Sequence, residues 1–159
     1  MRQGRIADES AAMLKPLPLL AILLTMGAPA LAQPAKVIEA RQANFKAMGR
    51  AMKAMGDEFR GGSPDIAVFR TNAATLNRLA PDLPKWFPAG SGTGAKTEAK
   101  ADIWSKPGDF AKAAANFAAA ANALNTAAAG TDIAAVGAAL RATGGTCKAC
   151  HDQFREEKK

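Results

Sequence analysis

The 159-residue sequence has no tyrosine, one histidine and two cysteines. Seven Phe and two Trp are its only aromatic side chains, so large rings can fill only part of a core. One histidine and two cysteines leave a zinc site short of its fourth ligand. The formal charge is +7, yet Lys and Arg are scattered and no long basic block appears. That argues against a nucleic-acid partner, which needs a concentrated footprint. The positive balance suits solubility and weak steering towards acidic surfaces. What the chain has in abundance is alanine, which supplies much of a 48% hydrophobic fraction. Alanine favours helix and buries little area per residue. Helices of this composition must pack closely, and a large bound cofactor would add missing apolar volume. The length suits one domain.

The N-terminus reads as an export signal spanning residues 1–32. Lys15 precedes the apolar stretch Leu17 to Met26, which is broken only by Pro18 and Thr25. Ala30-Leu31-Ala32 then forms a small-x-small cleavage pattern, predicting a mature domain over 33–159 in the periplasm. The stretch is too short for a comfortable membrane span. Asp8 and Glu9 fit a signal poorly, which makes Met13 a candidate true start. A retained amphipathic anchor is the alternative.

The remainder predicts an all-α, antiparallel four-helix bundle. In a first helix, Ala35 to Phe59, the residues Ile38, Phe45, Met52 and Phe59 recur every seven positions, with Arg41, Met48 and Met55 as a companion seam. Gly49 and Gly56 would permit close approach. Ser63-Pro64-Asp65 marks the next start, with Ser63 as cap. Ile66, Phe69, Ala73, Leu76 and Ala80 share one face, and Pro81 and Pro84 should stop that helix. A long connection to about Ser105 holds Trp86, Phe87 and Trp104, as apolar lids or as loop anchors. A helical turn over Glu98 to Ile103 fits within it. The third helix, from about Pro107 to Gly130, repeats Phe110, Phe117 and Leu124. Thr131 would cap the fourth, whose seams are Ile133, Leu140, Cys147, Phe154 and Val136, Thr143, Cys150.

Within that last helix stands Cys147-Lys148-Ala149-Cys150-His151, a Cys-x-x-Cys-His pattern for covalent attachment of haem c. On a helix the cysteines lie one turn apart and Cys147 and His151 are i,i+4 neighbours. Each thiol can add to one vinyl group, and the adjacent imidazole can reach the iron. His151 has no rival histidine for that role. A thioredoxin-like site would place the pair after a strand, which is missing here. A structural disulfide would leave His151 unexplained. Gly144-Gly145 just upstream costs about 2 kcal/mol relative to two alanines, which implies either a kink or a close approach. No acid–base constellation accompanies the motif, so a binding or electron-transfer protein fits better than an enzyme.

The C-terminal run Cys147 to Arg155, Arg41-Gln42-Ala43-Asn44-Phe45 in the first helix, and Asp102-Ile103-Trp104-Ser105 resemble the cytochrome c-prime family and its low-spin c-556 relatives. The resemblance covers 33–159. It implies a homodimer of bundles with one haem c per chain, His151 as the metal ligand, and a binding set of Cys147, Cys150, Arg41, Gln42, Phe45, Phe154 and Arg155. It implies small diatomic gases (NO, CO) as ligands, and soluble or membrane redox partners. Phe45 stands where low-spin relatives carry a ligating methionine, so the resemblance implies five-coordinate iron. The alternative is a methionine ligand, chiefly Met48, in a low-spin electron carrier. Arg41 lies in an apolar seam and needs an anion, such as a haem propionate, or an exposed route for its head. Arg155 either approaches the proximal imidazole or caps the helix end in solvent.

Overall fold

The computed structural model describes residues 34–157. The export segment, its cleavage point and the alternative start lie outside those residues. Five helices follow in order: α1 (Pro34–Arg60), α2 (Ile66–Leu79), α3 (Asp102–Ser105), α4 (Pro107–Ala129) and α5 (Ile133–Phe154). A 3-10 helix over Ala80–Trp86 continues from α2. Helices α1, α2, α4 and α5 form the expected four-helix bundle, and α3 is one turn in the connection.

The heptad seams fold inward as predicted. Phe69, Ala73 and Leu76 of α2 are buried, as are Phe110, Phe117, Ala121 and Leu124 of α4. On α1 the buried line is Ile38, Arg41, Met48, Ala51 and Met55, while Phe45, Met52 and Phe59 flank it half-buried. Alanines at the α4–α5 seam let the two backbones approach. The buried Thr143 hydroxyl uses that proximity, donating to Ala139 O on its own helix (2.9 Å) and facing Ala120 O across the seam (3.3 Å). Arg70 of α2 closes the C-terminus of α4 by donating to the carbonyls of Ala128, Ala129 and Gly130 at 3.0, 3.3 and 3.1 Å. Those carbonyls lack intrahelical partners, and a cation there also suits the helix dipole.

Several local expectations are corrected. Asp65, not Ser63, caps α2, through a bond from Ala67 N to its Oδ1 (2.8 Å). Asp132, not Thr131, caps α5, accepting from Ala134 N and Ala135 N. In both cases a carboxylate at the positive helix end prevails over a nearby hydroxyl. The α-helix of α2 does end at Leu79, just ahead of Pro81 and Pro84, as expected, but the chain stays helical. It continues in 3-10 form, in which Pro81 takes an early position that needs no N–H donor. Glu98 to Lys100 is extended rather than helical, and the short helix begins at Asp102. Gly144 and Gly145 sit in an unbroken α5. A Cβ at Gly145 would meet nothing within 4 Å, and one at Gly144 only Met52 Cε at 3.8 Å. Gly49 and Gly56 approach no other helix. The close contact falls instead at Gly137, where a Cβ would lie 3.1 Å from Phe59.

Candidate haem site

The Phe59–Gly137 and Met52–Gly144 contacts set the register of α1 against α5. Seven residues back along one helix match seven forward along the other, as antiparallel packing requires. The next step brings Phe45 to the level of His151, and the Arg41 turn to that of Arg155. Four candidate residues that lie far apart in sequence therefore share one end of the bundle.

Cys147 and Cys150 are both free and half-buried, packed against the core one helical turn apart. Burial pushes both thiols above their ordinary range, which keeps them protonated. Cys150 also lines an open cleft of about 370 Å³ between α4 and α5, shared with Asp109, Lys112, Asn116, Thr146 and Gln153. His151 is exposed beside them, on a second cleft with Asp152, Arg155 and Glu156. Partial burial of the imidazole, followed by the charge of Arg155, lowers its pKa; Asp152 and Glu98 oppose that shift. That shift favours the neutral ring, the form whose lone pair can bind a metal. Among the described residues, no three His, Cys, Asp or Glu side chains gather as a metal cluster. One imidazole beside two unbonded thiols fits a haem c: the imidazole would bind the iron, the porphyrin would supply its other donors, and the thiols would tether the group.

Facing this end is an aromatic cluster. Phe45 meets Trp86 edge-on at 5.4 Å and Phe87 at 6.1 Å. Phe87 in turn meets Phe110 at 5.0 Å, and Phe110 meets Phe154 at 5.3 Å. Phe154 is thus a core residue. Trp104 anchors the connection, its indole N–H reaching the carbonyls of Phe87 and Pro88 (both 3.1 Å). Trp86 packs back on Phe45, so one tryptophan is a loop anchor and the other an apolar lid. Met48 is buried in the core.

Arg41 does not take the exposed route for its head. Its guanidinium is buried and satisfied by neutral acceptors in the connection. Nη1 donates to the Ser91 carbonyl (2.8 Å) and hydroxyl (3.0 Å), and Nη2 to Thr97 Oγ1 (2.8 Å). Its Cζ lies 4.6 Å from the centroid of Phe87. Gln42 Nε2 donates to Lys96 O (2.8 Å). Two neighbouring side chains of α1 therefore pin residues 91–97 over this end of the bundle. Arg155 is half-buried and paired with Glu98, and it lines the same cleft as His151 rather than facing solvent alone. Sequence reasoning missed Ser91, Thr97 and Glu98. The unmet need of Arg41 for acceptors was the one signal that pointed towards hydroxyl-bearing loop residues.

Known proteins share this arrangement. A family model described as Cytochrome C' matches residues 36–155. A cytochrome c' from Pararhodospirillum photometricum is 43% identical over 125 residues, covering 79% of this chain and 100% of the relative. The solved cytochrome c prime from Shewanella frigidimarina superposes with a TM-score of 0.74 at 37% identity, covering 79% of this chain and 98% of its own. A nitric oxide complex of a mutant cytochrome c prime from Alcaligenes xylosoxidans gives 0.73 at 29% identity, covering 80% and 98%. Proteins of this family carry covalent haem c, and Cys147 and Cys150 supply the two attachment sulfurs here. With the motif, the bundle and relatives matched along their whole length all agreeing, this chain belongs to the cytochrome c' family.

Proposed function

We propose that the protein is an exported, periplasmic haem c protein with five-coordinate, high-spin iron that binds small diatomic gases such as NO and CO. The observation that carries this reading is the level of Phe45. Continuing the α1–α5 register from the Met52–Gly144 contact by seven residues would set Phe45, which has no ligating atom, at the level of His151. When bound, haem c would supply an iron able to take a diatomic gas as ligand. His151 would supply the imidazole that binds the iron. Cys147 and Cys150 hold the group to α5, so export cannot strip it. On the other side Phe45 offers no hydrogen bond, and its contacts with Trp86 and Phe87 make the approach apolar. Water gains little in such surroundings, whereas a poorly hydrated diatomic loses little by entering. Crowding by Phe45 would sort ligands by size. The nitric oxide complex of the Alcaligenes xylosoxidans relative supports the choice of ligand. Gln42 and Arg41 act at one remove, by holding residues 91–97 in place.

One-electron transfer to soluble or membrane partners is the second reading. The exposure of His151 and the open cleft at Cys150 favour it, since both bring the haem attachment to the surface. Its low-spin form would need a methionine ligand, chiefly Met48. A homodimer through α1 and α2 belongs to the main proposal, and sedimentation of the holoprotein tests it. Absorption and resonance-Raman spectra of ferric and ferrous holoprotein, with and without CO, test the rest. Five-coordinate spectra that change on CO addition are expected. Stable six-coordinate His/Met spectra in both oxidation states overturn the proposal.

A further inference from the structure

The extended stretch at Glu98 to Lys100 pairs with the end of α5. Lys100 N donates to Phe154 O (3.0 Å) and Glu156 N to Glu98 O (2.7 Å), around an antiparallel bridge between Ala99 and Arg155. Thr97, one residue upstream, is the acceptor that Arg41 holds. The same stretch therefore touches α1 with one residue and the C-terminus of α5 with the next.

The side chains add a second link. Arg155 Nε donates to Glu98 Oε2 at 2.6 Å, and Nη2 meets the same oxygen at 2.5 Å. Both side chains are 40% exposed, so the pair contributes little to stability. Its effect is directional. Two N–H groups of a rigid, planar fork converging on one oxygen fix where the guanidinium points. The Glu98 backbone is held independently, by its carbonyl and by the bridge. Arg155 is rooted one turn beyond His151, with its N–H on the His151 carbonyl (3.0 Å). The other charged groups here are Asp152, which Lys148 engages at 2.6 Å, Lys100, which donates to the Asp152 carbonyl, and Glu156 and Glu157, which line the same cleft.

We propose that Glu98 is a positioning residue, which holds the Arg155 guanidinium beside the exposed face of His151 and thereby sets the electrostatics of the haem's histidine side. This rests on the haem reading but not on five-coordination. Nearby charge acts on an iron couple directly. A carboxylate favours the more positive ferric state, and a guanidinium favours the ferrous state. Arg155 and His151 line one cleft, and the paired Glu98 carboxylate follows the guanidinium to its edge.

The test uses holoprotein carrying Glu98→Gln, Glu98→Asp, Arg155→Gln and the double change Glu98→Gln/Arg155→Gln. The readouts are the reduction potential and, where the ferrous iron is five-coordinate, the iron–imidazole stretching band. Glu98→Gln should raise the potential and shift or broaden the band, with helix content and amide protection at Lys100 and Glu156 unchanged. Glu98→Asp should restore most of the wild-type signature. The two single changes should combine non-additively. The proposal is overturned if Glu98→Gln leaves potential and band as in wild type, or if its effect is undiminished in the Arg155→Gln background. A six-coordinate wild type would defeat the gas-binding reading alone, because the potential would still decide the role of Glu98.

Discussion

The two ends of this bundle are built differently. Where α1 finishes and α5 begins, Met55, Phe69, Leu124 and Val136 are fully buried, and Phe59 closes on Gly137. Protein atoms alone fill that end. At the other end Phe45, Cys147 and Cys150 are only half-buried and His151 is exposed, although the helices and their heptad spacing continue unchanged. The same small-residue helices thus form a closed core at one end and an open one at the other. The open end coincides with the haem motif, and its aromatic rings come mostly from the connection rather than from α5. A helix pattern that packs to completion at one end can leave room at the other simply by setting cysteines and a histidine where large apolar residues would stand.

The comparison can be broken most severely at the open end. Replacing Cys147 and Cys150 together with alanine should abolish covalently retained haem, read by haem staining of the denatured protein. Hydrogen exchange should then rise around Phe45 and Cys150 well before it rises around Phe69. If protection falls equally at both ends, the closed end depends on the haem too and the contrast fails. Next in size is a matched pair of truncations. Phe69→Ala should cost about 3–5 kcal/mol in denaturant unfolding with haem content unchanged, since the ring is fully buried. Phe45→Ala should cost about half as much or less, as its ring is half-buried, but should speed CO binding to the ferrous holoprotein. Equal CO rates in both variants would place the gas route elsewhere.

Arg41→Gln comes third. It removes charge-assisted bonds to Ser91 and Thr97 and should cost about 2–3 kcal/mol, with amide exchange rising across residues 91–97. The smallest effect is a pH dependence confined to the apoprotein. Burial raises both thiol pKa values in the folded chain. The folded state then binds more protons than the unfolded state between the two sets of pKa values. Stability is therefore fully present below the ordinary thiol pKa of about 8.5 and falls as pH rises above it. Thioethers do not titrate, so the holoprotein should lack this component. Parallel alkaline unfolding curves for apo and holo forms would refute the assignment.

Much of this could be read along the chain. The attachment motif is local, because Cys147, Cys150 and His151 meet through the spacing of a single helix. The seams of α2 and α4 are local for the same reason, and so are the helix boundaries, apart from a competition between adjacent caps at Asp65 and Asp132. The errors gather where competing local signals or distant chain segments decide the outcome. Pro81 and Pro84 do stop the α-helix, but the 3-10 helix that follows and tolerates them was not foreseen. Gly144 and Gly145 suggested either a kink or a close approach of the haem, and the continuous α5 rules out the kink alone.

Haem attachment, helical architecture and family membership were thus determined by the sequence itself, since each depends on residue spacing within one helix turn or one heptad. Only the tertiary structure decided the partners of Arg41 and Arg155. Their acceptors lie 50 to 57 residues away in an irregular connection. A buried or half-buried guanidinium demands acceptors but does not specify which, and the choice falls to whichever loop atoms the folded helices bring within reach.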